Sequence, residues 1–145
     1  MTLPPDLRRA IVEHGRRELP NEACGLLAGD APAARGGRPT RWLPARNVLA
    51  SPYRYEIHPD DLVRLALEID DAGEIVWAIV HSHVGSAAVP SAADLRAWSY
   101  PDAFQLVVSL AGPGEPTLRG WRLVDSHLEE VALGEAPLAI RDPDR

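Results

Sequence analysis

The chain has no lysine; all 15 of its basic residues are arginine. Schiff-base chemistry and a catalytic ε-amine are therefore excluded. A single cysteine, Cys24, rules out any internal disulfide. No apolar run approaches a membrane span; the longest, Ile75–Val80, is strand-sized. There is no basic cluster and the formal net charge is −6, which argues against nucleic acid or an anionic membrane surface as the main partner. The opening residues, Met1-Thr2-Leu3-Pro4-Pro5, lack the charged and apolar stretches of a signal peptide, so a soluble cytoplasmic protein is expected. What remains is a hydrophobic fraction of 46% against 25% charged, enough to build a core. At 145 residues the expectation is one domain, 1–145, with Gly134–Arg145 as a loosely held tail.

Leu3, Leu7, Ala10, Ile11 and Leu19 recur at helical spacing and predict an amphipathic helix over about Pro5–Glu18, ended by Pro20. Ala23–Ala28 is a short apolar run closed by Gly29, as a buried strand would be. Asp30–Pro39 reads as a loop, and Arg41–Leu49 and Tyr53–Ile57 as two strands separated by Ser51-Pro52. Pro59, Asp60 and Asp61 open a second helix running to about Asp70. Ile75–His83 is the most apolar segment and is expected to be a central strand. Ser91–Ser99 fits a short helix, and Phe104–Leu110, Thr117–Val124 and Leu128–Leu133 fit three more strands. The mixture predicts an α/β or α+β fold, a mixed sheet with flanking helices.

The central strand ends in Val80-His81-Ser82-His83. Side chains two apart on a strand share a face, so both imidazoles can reach one ion. Alone, the pair is a weak signal, more simply read as the place where a buried strand meets water. Ser91 and Asp94 stand three apart after the loop Val84–Pro90. Locally they form a capping box, Ser91 at the N-cap and Asp94 at N3. That leaves the long approach Val84–Val89, read as flexible, without a purpose. If the loop folds back instead, Asp94 adds a carboxylate to two histidines, a donor set that leaves a fourth zinc position open. Glu22, just ahead of the Ala23–Ala28 strand, is either a surface carboxylate in a turn or a general base.

These residues resemble the signature of the JAMM (MPN-plus) metallopeptidases: an upstream Glu, then His-X-His, seven residues, Ser, two residues and Asp. Here the series is Glu22, His81-Ser82-His83, Val84–Pro90, Ser91, Ala92-Ala93 and Asp94. The resemblance extends over roughly Leu3 to Leu133. It implies a largely antiparallel, cytidine-deaminase-like sheet. It also implies that His81, His83 and Asp94 ligate Zn2+, that Glu22 takes a proton from the attacking water and passes it to the leaving amine, and that Ser91 hydrogen-bonds the oxyanion. The complete set speaks against the inactive scaffold members of the family. One departure is Val84, where many members carry Pro or Thr; a changed loop conformation is expected there.

The family mostly cuts amides that follow a ubiquitin-like tail. The segments Asn21–Gly29, Asn47–Tyr55 and His81–Asp94 are similar to small bacterial members that release cysteine from a sulfur carrier. The resemblance thus implies, as partner, a small ubiquitin-fold carrier ending in Gly-Gly. The alternatives are an isopeptidase acting on a lysine conjugate and a non-catalytic binding module. Other residues carry plainer expectations. Cys24 reads as a small buried residue, His14 as structural or surface, and His58, at a helix start, and His127, in a turn, as lacking partners at ligand spacing. Trp42, Trp77, Trp98 and Trp121 read as core or half-buried, and Asp60, Asp61, Asp70 and Asp71 as solvated helix-end charges.

Overall fold

The computed structural model describes residues 2–135. Pro5 opens helix α1 (Pro5–Arg17), where a missing N–H costs nothing; Asp6 lies in its first turn and Arg16 and Arg17 in its last, complementing the helix dipole. Helix α2 (Pro59–Asp71) begins the same way. Its N-cap is His58, whose Nδ1 accepts the Asp60 N–H at 3.1 Å. Leu65 and Ile69, one turn apart, form its buried stripe.

The helices cover opposite faces of a six-stranded sheet. Its strands are β2 (Cys24–Gly29), β3 (Pro39–Ala45), β4 (Ile75–His83), β5 (Phe104–Ser109), β6 (Thr117–Val124) and β7 (His127–Val131), in the order β3-β2-β4-β5-β6-β7. Only β4 and β5 run parallel; every other neighbouring pair is antiparallel. The parallel pair needs a crossover, which contains α3 (Ala92–Arg96). A two-stranded parallel pair, β1 (Thr2–Leu3) with β8 (Gly134–Glu135), lies outside this sheet. Alternation along the strands assigns the faces. Ala78, Val80 and Leu27 cluster with Ile11 of α1, whereas Ile79, Leu26 and Cys24 cluster with Leu65 and Ile69 of α2. The same period carries His81 and His83 to the α2 face and Ser82 to the α1 face. No helix among the described residues is long and apolar enough to cross a membrane.

Several elements differ from expectation for identifiable reasons. The strand expected over Arg41–Leu49 stops at Ala45, and Tyr53–Ile57 is no strand; one isolated bridge joins Asn47 to Ile57. The Asn47 side chain takes the backbone groups a ladder would use. Its Oδ1 accepts from Leu49 N and Glu56 N, both at 3.1 Å, and its Nδ2 donates to the Glu22 and Arg54 carbonyls at 3.1 and 3.0 Å. The expected helix Ser91–Ser99 shortens to one turn, and the strand expected from Leu128 to Leu133 runs from His127 to Val131. Of the expected loose tail, Gly134 and Glu135 pair with the N-terminal strand; residues 136–145 lie outside the described ones.

Asp61 is not a solvated helix-end charge. It is buried and accepts from Arg46 N at 2.8 Å and from the Arg46 guanidinium at 3.0 and 2.9 Å, with Arg64 at 3.4 Å. The Arg46 bonds hold its carboxyl well below the usual carboxylate range. A depressed carboxylate contributes stability above its unfolded pKa that disappears as pH falls. Asp61→Asn is expected to cost about 1–2 kcal/mol near neutrality, the lower part of the range for a charged hydrogen bond because Arg46 is solvent-exposed and screened. The loss should shrink in acid. Urea unfolding at two pH values measures both.

Candidate active site

The end of β4, the start of β2 and the cap of α3 meet at one point. His81 and His83 project from β4; Glu22 immediately precedes β2, which pairs Cys24 with His81; and Asp94 sits in the only turn of α3. Asp94 Oδ2 lies 3.0 Å from His81 Nε2 and 3.2 Å from His83 Nε2, and the two nitrogens are 3.2 Å apart. Glu22 Oε1 stands at 3.9 Å from His83 Nε2. All four side chains are buried.

Capping and convergence, which competed as readings of Ser91 and Asp94, occur together. Ser91 Oγ accepts the Asp94 N–H at 3.1 Å, and Asp94 Oδ2 accepts the Ser91 N–H at 2.8 Å, a complete capping box. The box aims the carboxylate, and the oxygen that closes it is the one facing both imidazoles. Gln105, fully buried on β5, supports α3 from below by donating to the Asp94 carbonyl at 3.3 Å.

Glu22 is held through its backbone. Its N–H donates to the Ser51 carbonyl at 2.8 Å, its carbonyl accepts from Asn47, and the next amide, Ala23 N–H, donates to Ser82 Oγ at 2.8 Å. The middle residue of the His-Ser-His triplet thus braces the strand that carries Glu22, from the opposite face of the sheet. The carboxyl itself has one oxygen, Oε2, with no hydrogen-bond partner among the described residues. Burial raises its pKa to about 7, with His83 lowering it and Asp94 raising it further. A buried carboxyl with a free oxygen and a pKa near neutrality is poised for proton exchange.

The loop after β4, expected to be flexible, is fastened. His83 Nδ1 donates to the Ala87 carbonyl at 2.7 Å, Ser109 Oγ to the Ser86 carbonyl at 2.6 Å and Trp121 Nε1 to the Ala88 carbonyl at 2.9 Å. A carbonyl only accepts, so His83 Nδ1 carries hydrogen. In neutral His83 the lone pair on Nε2 then faces the Asp94 carboxylate. That contact calls for a positive charge, supplied by a second proton on the ring or by a cation. Burial depresses the pKa of both histidines. For His83 the Asp94 bond, the Ala87 carbonyl and the nearby carboxylates outweigh burial and the net shift is upward; for His81, wholly buried, the net shift is downward. Burial also opposes ionisation of Asp94, but bonds from His81 and His83 prevail and keep it ionised well below the usual range.

The donor set fits a small divalent ion. Zn–N and Zn–O bonds of about 2.0 Å in a tetrahedron place ligand atoms about 3.3 Å apart. The three separations here, 3.0, 3.2 and 3.2 Å, are close to that edge. A looser set, Glu22 with His81 and His83, also keeps its ligand atoms within 4.8 Å of one another. Asp94 Oδ2 is nearer to His83 Nε2 than Glu22 Oε1 is, 3.2 against 3.9 Å, so the tight set is His81, His83 and Asp94, with Glu22 a step behind.

Two neighbours were not legible as site residues. Tyr55 stacks on His81, ring centroids 4.4 Å apart and planes at 19°; burial first, then nearby carboxylates, push its hydroxyl pKa up. Its segment, Tyr53–Ile57, has the pattern of an ordinary strand. Trp121 was read as core and is buried, but it also holds the loop. Cys24 is a buried thiol pushed up to about 12 by burial, then by the charges of Glu18, Asp61 and Glu22; it stays protonated at neutral pH. His14 is buried edge-on against Trp42, 5.8 Å between centroids.

The sequence profile described as prokaryotic homologs of the JAB domain matches residues 4–124. The CysO-cysteine peptidase of Mycobacterium tuberculosis is 35% identical over 130 residues, 90% of this chain and 87% of that protein. The desampylase of Haloferax volcanii is 36% identical over 117 residues, 77% of this chain and 82% of that protein. A JAB1/MPN domain protein from Archaeoglobus fulgidus superposes with a TM-score of 0.59 over 92% of this chain and 96% of its own at 19% identity, a likeness of fold alone.

Proposed function

The chain belongs to the prokaryotic homologs of the JAB domain, and from that premise we propose that it is a zinc-dependent peptidase acting on a small ubiquitin-like sulfur-carrier protein. The bond cut is the amide after the carrier's C-terminal Gly-Gly, with cysteine as the group released. The observation that carries the reading is the convergence of His81 Nε2, His83 Nε2 and Asp94 Oδ2 within 3.0–3.2 Å, with His83 Nδ1 engaged by the Ala87 carbonyl so that Nε2 faces the carboxylate.

His81, His83 and Asp94 hold the metal, and a zinc ion there supplies Lewis acidity for amide hydrolysis. Glu22, buried behind His83, accepts a proton from the attacking water and delivers it to the leaving amine. With one buried oxygen free of hydrogen bonds, the same carboxyl can serve as base and then as acid. Ser91 is exposed, and its oxygen already accepts the Asp94 N–H, so its own hydrogen is free to donate to the oxyanion. A glycine pair suits such a site because it can lie extended beside a strand without side-chain clashes.

The peptidase of M. tuberculosis, matched over most of both chains, supports a carrier–cysteine substrate. The desampylase similarity supports a second reading, an isopeptidase acting on a lysine conjugate. Offering zinc-loaded protein the same carrier as a C-terminal cysteine adduct and as a lysine isopeptide separates them. Release of cysteine from a carrier ending in Gly-Gly, at least about tenfold faster than lysine release, is expected, a difference of about 1.4 kcal/mol in transition-state binding. Faster lysine release establishes the isopeptidase, and cleavage of neither defeats both readings.

A further inference from the structure

Three consecutive carbonyls of the loop between β4 and α3 each receive a side-chain donor: Ser86 from Ser109, Ala87 from His83 and Ala88 from Trp121. The middle bond belongs to the histidine at the site; the outer two come from β5 and β6, across the sheet. Ser109 is the register partner of His83, and Trp121 sits one strand further, its ring under the Arg119 guanidinium at 4.7 Å from the centroid. Arg119 is in turn fixed by Glu130 of β7 at 2.7 and 2.9 Å. Ala88 is buried against Trp121 and Val107, while Ser86 and Ala87 are exposed.

A carbonyl between two anchored neighbours has little freedom to rotate. The Ala87 oxygen also accepts the Val89 N–H at 2.8 Å, a bond inside the same loop that moves with it. If Ser86 and Ala88 were unpinned, this turn could shift as a unit away from β4, and His83 would lose the bond that sets its ring orientation and tautomer. A ligand histidine whose second nitrogen is unfixed binds a metal less well. We propose that Trp121 and Ser109 are positioning residues for the metal site, acting through the Ala87 carbonyl to hold His83 with Nδ1 donating and Nε2 turned toward Asp94. This rests on the reading of His81, His83 and Asp94 as ligands, and it assigns a task to an indole that otherwise only fills the core.

The test measures zinc affinity of the full chain by competition with a chromophoric chelator. Trp121→Phe keeps an aromatic ring in the core and removes the N–H; Ser109→Ala removes the other pin. Trp77→Phe is the control, because Trp77 Nε1 makes a matching bond to the Gly37 carbonyl at 2.8 Å near the opposite end of β4. Trp121→Phe and Ser109→Ala are each expected to weaken zinc binding about tenfold, the lower end of what loss of an outer partner costs. Trp77→Phe should lower thermal stability and leave zinc affinity within about twofold of wild type. The His83 ring nitrogen shifts in 15N spectra of zinc-free protein should show a mixed tautomer in the first two variants alone. Zinc binding by both loop variants as tight as by the control overturns the positioning role while leaving the metal reading intact. A wild type that takes up no zinc overturns the metal reading itself. If Trp121→Phe does not fold, Ser109→Ala decides.

Discussion

Glu22→Gln should lower turnover by about 10²–10⁴-fold, the usual worth of a positioned general acid–base group, while leaving bound metal unchanged. Glutamine has nearly the same shape and keeps the backbone bonds to Ser51, Asn47 and, through Ala23, Ser82, none of which uses the Glu22 side chain. What it loses is the ability to take a proton. It also removes a buried carboxyl that burial already penalises, so folding stability should be equal or greater in the variant. A combined gain in stability and collapse in turnover is the mark of a residue kept for chemistry. Three measurements decide: kcat on the carrier–cysteine adduct, metal content, and the urea midpoint. Turnover within about threefold of wild type would exclude Glu22 as the base, since even a weak acid–base group is worth more. A simultaneous loss of metal would instead make Glu22 a ligand, as the looser Glu22, His81 and His83 grouping allows.

The parts of the fold legible in the sequence are those whose signal is local. α1 and α2 announce themselves through Pro at N1, acidic first turns and apolar residues a turn apart, and the structure forms both within a residue or two of expectation. β4 is apolar from Ile75 to Val80 because the sheet is covered on both faces, by α1 on one and α2 on the other. Of the candidate site, the two pairs are set by short spacing, His81 and His83 on a strand face and Ser91 and Asp94 in a helix turn; that the pairs join each other and Glu22 is implied only by the resemblance to the JAMM signature. What escaped depends on partners far along the chain. Tyr53–Ile57 has the composition of a strand, yet the Asn47 side chain claims its backbone, and no period in the sequence records that competition. Asp61 has the pattern of a solvated first-turn residue, and only the return of the chain at Arg46 buries it. Trp121 is 33 residues from Ala88, so its bond to the loop is invisible until β6 is placed beside β5. The capping box and the carboxylate aimed at two histidines are rival readings in one dimension; in three they share one oxygen, Asp94 Oδ2.

His83→Ala should abolish stable metal binding, weakening zinc affinity by more than about a hundredfold, beyond what loss of an outer partner costs, and with it turnover. The effect exceeds that of the loop variants because it removes a donor atom rather than its orientation. It also leaves Asp94 with one imidazole instead of two and the Ala87 carbonyl with the Val89 N–H alone. The fold should survive, since His83 is the last residue of β4 and lies beyond the Ile79, Val80 and Leu106 core. The wild type should take up about one zinc per chain, with a pH dependence whose sign follows from the site. Metal competes with protons for imidazole nitrogen. Asp94 is ionised well below neutrality and contributes no dependence there. His83 is shifted upward, so its protonation begins at higher pH than for a free histidine, and zinc affinity should fall as pH drops through that range. Zinc titrations between about pH 8 and 5.5 bracket the ordinary histidine range and read this directly. Affinity flat across that interval would mean that His83 is not a ligand. Affinity lost only near the ordinary carboxylate range would assign the binding to acidic groups alone, and the convergence of His81, His83 and Asp94 would then be an ion-paired strand end rather than a metal centre.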